Sequence, residues 1–302
     1  MELTLEEITY LGNMMGQKND LGIFSNIVVP LKGDEKESLV KKGVIFDNNF
    51  VPGMDIFLGI LSSPQRCCRF VAQVGYLTIE KYSYYKENML VLAQNNRSKF
   101  IFSVDSDLKN VKWQFIDLYG SSNLKTTSFS SIMSLDETMI FAALVDLYRK
   151  EELLSYICAD KSKNSFSLEH LETYIAEPMK NGLVNFFLNN FKNFSIPSDL
   201  KAPLSELNKK SIVENNNALR FNEQIQFLAK NLLLFHSVSL LEILNLKDGK
   251  IVVSTTVFLN AGVHDVLRIQ LLDKGTDLST VTSKEQIDEI IWALECPQLE
   301  VQ

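Results

Sequence analysis

The sequence predicts an α+β fold made of two copies of one unit, each with helices packed on an antiparallel β-meander. Three observations lead there. Two capping boxes open similar stretches, a lysine-lysine helix end recurs 168 positions further on, and both stretches finish with strand-like runs and a helix.

The first copy opens on Thr4-Leu-Glu-Glu7, where the threonine oxygen and the glutamate each satisfy a free backbone donor; Leu5, Ile8, Leu11 and Met15 follow at helical spacing. After a looser stretch with Gly16, Asp20 and Gly22, a helix from about Asp34 runs to Lys41-Lys42 and stops at Gly43, with cations in its last turn and glycine beyond it. A third helix covers Met54 to Leu61, limited by Pro64, with a helical continuation over Cys67 to Val74. Tyr76 to Tyr85, Met89 to Ala93 and Lys99 to Val104 read as strands, separated by the polar breaks Lys86-Glu-Asn88 and Asn95-Asn-Arg-Ser98. Leu108 to Tyr119 closes the copy as a helix. The first repeat therefore spans residues 1–120, and the Ser/Thr/Asn-rich tract that follows reads as a polar linker over 121–132.

The second repeat, residues 133–302, opens on Ser134-Leu-Asp-Glu137. Its best internal match sets Leu39-Val-Lys-Lys-Gly-Val-Ile-Phe-Asp-Asn-Asn49 against Leu207-Asn-Lys-Lys-Ser-Ile-Val-Glu-Asn-Asn-Asn217. Phe57-Leu-Gly59 then faces Phe227-Leu-Ala229, Lys99 to Val104 faces Leu267 to Leu272, Ile251 to Phe258 adds a strand, and Ser283 to Leu294 closes as a helix. A helical insertion over 166–194 distinguishes the second copy.

Composition excludes several classes. Of 302 residues, 46% are apolar and 22% charged, the balance of a packed globular chain. A net charge of −7 without a long basic run gives nucleic-acid binding little counterion release to draw on. Four cysteines, Cys67, Cys68, Cys158 and Cys296, form neither a disulfide framework nor a zinc spacing and fit a reducing cytosol. Acids at Glu2, Glu6 and Glu7 stand where a signal peptide needs a basic end, so a cytoplasmic location is expected. Ile225 to Leu246 has roughly the length of a membrane span, but Lys230, Asn231, His236 and Glu242 interrupt it, and a buried helix pair is the expectation.

No catalytic residue, metal site or cofactor is expected. His170, His236 and His264 stand apart from one another and from ligand-spaced partners; phosphate-binding glycine loops and a nucleophile elbow are missing. Asp105-Ser-Asp107 reads as turn and cap, and Ser122-Asn-Leu-Lys125 lies in the polar tract without its companion motifs. Phe186, Phe187, Phe191 and Phe194 crowd one short segment. Such a cluster packs a helical core or lines an apolar groove for an amphipathic partner.

The opening helix Leu3-Thr-Leu-Glu-Glu7, the helix end Leu39-Val-Lys-Lys-Gly-Val-Ile45 and the run Phe57-Leu-Gly-Ile-Leu-Ser-Ser-Pro64-Gln-Arg66 together resemble the EspG family of type VII secretion chaperones and its relatives in Gram-positive bacteria. The resemblance implies two quasi-two-fold related halves and a cytosolic, non-enzymatic adaptor. Its clients would be helical secreted effectors or WXG-type or LXG-type substrates, kept soluble for export. It also implies contact through a strand loop, here Asn95-Asn96-Arg97, and through helices of the C-terminal half, here those around Leu183 and Phe187 with Phe186 and Phe191. Rivals are a toxin-neutralising immunity protein, which suits an acidic surface, and a winged-helix-like regulator, which the charge disfavours.

Overall fold

A computed structural model describes residues 1–104, 108–159, 163–215, 218–233, 235–261 and 265–295. In chain order the first stretch gives β1 (Glu2–Thr4), α1 (Leu5–Met14), α2 (Ile23–Asn26), α3 (Glu35–Lys41), β2 (Ile45–Phe46), β3 (Asn49–Phe50), α4 (Met54–Ser62), β4 (Arg66–Val74), β5 (Leu77–Lys86), β6 (Met89–Asn96), β7 (Lys99–Val104) and α5 (Leu108–Tyr119). The second gives β8 (Ser130–Ser134), α6 (Leu135–Cys158), α7 (Leu168–Ala176), α8 (Leu183–Asn190), α9 (Lys201–Lys209), β9 (Val213–Asn215), β10 (Leu219–Phe221), α10 (Glu223–Asn231), β11 (Phe235–Lys247), β12 (Lys250–Ala261), β13 (Asp265–Leu272), β14 (Gly275–Val281) and α11 (Ser283–Leu294). With α7 set aside, both stretches run strand, three helices, hairpin, helix, four strands, helix, with the hairpin falling between the third helix and the fourth. The fold is α+β, with a large sheet in the order β1-β7-β6-β5-β4-β11-β12-β13-β14-β8.

By contacts the chain divides into two compact units. Unit 1 takes Met1–Ser121, Ser239–Thr255 and Lys284–Gln302; unit 2 takes Ser122–Val238 and Thr256–Ser283. In unit 1, Leu3, Ile8, Leu11, Leu39, Leu58 and Phe100 are among the fully or nearly fully buried side chains of one apolar cluster. Each contributes roughly 1.5–3 kcal/mol through the area it removes from water. In unit 2, α6 is apolar around most of its circumference, with Met139 to Tyr148 buried without a break, because α7, α8, α9 and α10 all pack on it. The Ser/Thr tract before β8 is pinned to unit 2: Thr126 and Thr127 donate backbone N–H groups to Asp265, and the Thr280 hydroxyl donates to the Thr127 carbonyl.

Two segments expected as helix are strand. Cys67 to Val74 belongs to β4, where Cys68, Phe70 and Ala72 are buried at every second position. Ile225 to Leu246 is not a helix pair: α10 ends at Asn231 and β11 takes over, because an apolar run without period fits either element until its neighbours decide. The strand match between copies also moves by one. β1 pairs with β7 through Leu3 and Phe100, and β8 pairs with β14 through Met133 and Thr276, so the counterpart of Lys99–Val104 is Gly275–Val281 rather than Leu267 to Leu272. Positive φ angles at Asp47-Asn48, Glu87-Asn88 and Asp248-Gly249 make the two-residue turns whose twist suits hairpins. Asp105-Ser-Asp107, His264 and Cys296 lie outside the described residues.

Both capping boxes form, and each glutamate does more than cap. Glu7 accepts the Thr4 N–H at 2.7 Å, the Ser38 hydroxyl at 2.6 Å and Lys42 Nζ at 2.7 Å, and Lys42 also donates to the Glu2 carbonyl at 3.0 Å. In unit 2, Glu137 accepts the Ser134 N–H at 2.5 Å and Lys210 Nζ at 2.7 Å, while Lys210 reaches the Ile132 carbonyl at 2.8 Å. The second lysine of each Lys-Lys pair thus ties the end of α3 or α9 to the strand and helix that open its unit. The chain turns away from the lysine through a left-handed residue in both units, Gly43 at φ 71° and Ser211 at φ 57°.

Burial works to raise the Glu7 pKa, but the hydrogen bonds from Lys42, Ser38 and the Thr4 N–H outweigh it and hold the carboxyl below the ordinary glutamate range. A carboxyl lowered in the folded state stabilises above its unfolded pKa of about 4.3 and loses that contribution as pH falls through the folded value. Urea denaturation of Glu7→Gln is expected to show a loss of about 1–3 kcal/mol at pH 7, shrinking as the pH is taken below about 4. A difference from wild type that stays constant from pH 7 to pH 3 would contradict the assignment.

Candidate partner-binding surfaces

The residues nominated from sequence fall into one group in each unit. In unit 1, Asn95 and Asn96 end β6, and Arg97, at φ 58°, makes the turn into β7; Asn96 and Arg97 are exposed and Asn95 is half-buried. Asn95 and Arg97 also border a cavity of about 620 Å³. Its walls include Ile23 and Ile27, Tyr84 and Phe100. Its polar part is a cluster centred on Arg69, which donates through Nε and Nη2 to Glu80 Oε1 at 3.1 Å each and through Nη1 to Glu242 Oε2 at 3.1 Å. Tyr82 Oη donates to Glu80 Oε1 at 2.5 Å and Asn95 Nδ2 donates to Glu80 Oε2 at 2.7 Å.

Burial alone would raise the Glu80 pKa, but the bonds from Tyr82, Asn95 and Arg69 outweigh it and keep the carboxylate charged. The Tyr82 hydroxyl is pushed up by burial and by its bond to Glu80. Asn95 donates its amide to Glu80, while its buried Oδ1 has no hydrogen-bond partner among the described residues. Arg69, Glu80, Tyr82 and Glu242 were not nominated from sequence. The register of β4 on β5 sets Arg69 opposite Tyr82, which the helical reading of Cys67 to Val74 hid, and Glu242 lies 173 positions from Arg69.

In unit 2 the nominated phenylalanines do meet. Phe187 stacks on Phe194 with ring centroids 4.7 Å apart, and Phe186 and Phe191 approach it at 5.7 and 6.2 Å. Leu183 and Phe187 are buried and face inward, while Phe186 and Phe191 are half-buried at the surface. Asp146 of α6 holds this segment in place. Its Oδ2 accepts the Val184 N–H at 3.2 Å and the Tyr174 hydroxyl at 3.0 Å, and its Oδ1 accepts Arg149 Nη1 at 2.9 Å. A carboxylate over the first turn of α8 meets the positive end of that helix. Burial nevertheless raises the Asp146 pKa against the pull of the Leu183 and Val184 N–H groups, Arg149 and Tyr174.

A further surface escaped the sequence reading. The last two turns of α6 expose Leu153, Leu154, Tyr156 and Ile157, the last by 79%. The neighbouring helix α10, joined there by Lys230 to Glu152 at 3.5 Å, exposes Phe227 by 58%. The continuous apolar run of α6 hid the change from buried to exposed positions. His170 lies exposed on α7, and among the described residues no group of three or more His, Cys, Asp or Glu could hold a metal ion. No helix among them is long and apolar enough to cross a membrane.

Gly182 precedes α8 as its N-cap, and nothing larger fits there: a Cβ would collide with Asp146 Oδ2 and lie 2.9 Å from Tyr174 Oη. Gly182→Ala is expected to lower the thermal midpoint by several degrees, corresponding to about 1–3 kcal/mol, while Gly59→Ala, whose Cβ meets open space, leaves it unchanged or slightly raised. Differential scanning fluorimetry of the two variants checks this.

No family model matches the chain, and no curated protein matches it. Among solved structures, the chain is similar to the Mycobacterium tuberculosis type VII secretion system chaperone EspG5, solved in complex with the PE25-PPE41 dimer, at 8% sequence identity and a TM-score of 0.51. The likeness covers 97% of this chain and 95% of that one, and at this identity it establishes a shared EspG-like fold.

Proposed function

We propose that the protein is a chaperone or adaptor that binds a helical protein destined for type VII secretion and keeps it soluble until export. The observation that carries the proposal is the match over nearly the whole length of both chains to a chaperone solved with its bound dimer. The surfaces support it physically. An apolar helix end left in water self-associates, and the half-buried aromatic rings of α8 and the exposed apolar turns of α6 each offer it area to bury.

In this reading Asn95, Asn96 and Arg97 contribute the polar strand-turn contact in unit 1. Phe186 and Phe191 contribute apolar contact in unit 2, with Leu183 and Phe187 supporting them from beneath. Tyr156 and Ile157 of α6 extend the apolar contact. The site acts in the cytoplasm and performs no chemistry on its client.

Co-expression with a helical WXG-type or LXG-type protein encoded beside it is expected to give a shared peak in size-exclusion chromatography. Ile157→Asp changes an exposed side chain and is expected to fold as wild type while weakening the complex about tenfold or more. Separate peaks for the wild-type pair, together with retained rescue of a neighbouring toxin, would replace this function with that of an immunity protein.

A further inference from the structure

Lys81 sits in the middle of β5, between Glu80 and Tyr82, and points to the opposite face of the sheet from theirs. Its cross-strand neighbour Phe70 packs edge-on against Phe115 of α5 at 4.9 Å, which places Lys81 beneath that helix. Only 6% of the residue is exposed. Nζ donates to the Oε1 of Gln94, the residue paired with Lys81 on β6, at 2.9 Å. No ion pair to Lys81 forms among the described residues. A buried ammonium held by one neutral amide is a costly arrangement, because a charge taken out of water needs either a counter-charge or several strong hydrogen bonds. Burial pushes its pKa down to about 8, with no charge among the described residues to restore it.

Lys81 lines two cavities. One cavity of about 230 Å³ is bounded by Lys81, Gln94, Asn110 and Gln114, with Val111 and Leu294 as apolar wall. A second, of about 320 Å³, shares Lys81, Gln94 and Gln114. Among the described residues, every other polar side chain lining either cavity is an amide or a hydroxyl, so the lysine supplies the sole formal charge of the described linings.

We infer that the smaller cavity is a binding site for a small monocarboxylate with a short apolar tail. The carboxylate takes the ammonium of Lys81 on one oxygen and an amide N–H of Gln114 or Asn110 on the other, and the tail lies against Val111 and Leu294. One cation matches one negative charge, whereas a dianion would leave a second charge buried and unpaired. At about 30 Å³ per water, the cavity has room for a ligand of roughly eight non-hydrogen atoms. The inference stands on Lys81 and its surroundings alone and is independent of the chaperone function.

Isothermal titration of the full chain with hexanoate tests it. Wild type is expected to bind one hexanoate at millimolar strength or better, and Lys81→Met to weaken that binding about tenfold or more, the value of one charge-assisted hydrogen bond. Hexanol and hexylammonium, which keep the tail and lose the carboxylate, are expected not to compete. Gln114→Leu retains the lysine and is expected to weaken hexanoate less, which keeps the test decisive if Lys81→Met does not fold. Equal affinity in wild type and Gln114→Leu together with Lys81→Met, competition by hexanol, or displacement by sulfate as effective as by hexanoate would each overturn the inference, as would a wild-type titration without heat or protection from thermal unfolding.

Discussion

A buried glutamate in the first turn of a helix carries two obligations in each unit, and most of the local architecture hangs on its meeting both. Glu7 and Glu137 close the capping box at their own helix start, and each also takes the ammonium of a lysine that ends a later helix. Three elements distant in sequence are fixed at one point: an edge strand through its carbonyl, the opening helix through its free N–H groups, and a later helix, α3 or α9, through the cation at its end. Because the carboxylates are almost completely buried, loss of the lysine leaves a buried charge without its ion-pair partner, so the arrangement is costly to break and resists drift.

Much of this was written locally in the sequence. Thr4 to Glu7 and Ser134 to Glu137 announce helix starts by their spacing alone, and Lys41-Lys42-Gly43 announces a helix end. That the second lysine of each pair meets the capping glutamate was not legible, because nothing local relates position 42 to position 7 or position 210 to position 137. The strands β4 and β11 were misread for a shared reason. Each is the first strand of its meander and follows a helix after only a few residues, and each mixes apolar residues on both faces, so the period that separates strand from helix is blurred. The polar turns between later strands, such as Glu87-Asn88, left no such doubt.

The binding surfaces were legible in kind more than in detail. Clustering of phenylalanines near α8 was visible in the sequence, but burial divides them, with Phe187 and Phe194 inside and Phe186 and Phe191 at the surface. Charges placed on β-strands carried no warning of their use. Neighbouring residues of β5 serve opposite faces of the sheet: Glu80 and Tyr82 join the Arg69 cluster, whereas Lys81 enters a neutral setting. A one-residue slip in register would exchange these environments, burying the Glu80 carboxylate in place of the Lys81 ammonium. The tight two-residue turn at Glu87-Asn88 guards against that slip.

The pairing of β1 with β7 has a consequence for the order in which the chain becomes structured during synthesis. Glu2 meets Ile101, so the first strand emerges roughly a hundred residues before its partner exists, a delay of about 5–20 s at ordinary translation rates. β8 waits longer still for β14. Both early strands are short, three and five residues, and therefore present little unpaired backbone to neighbouring nascent chains during the wait. The meanders between them form from adjacent hairpins and need no such delay, so in each half the last strand of the meander admits the one made first.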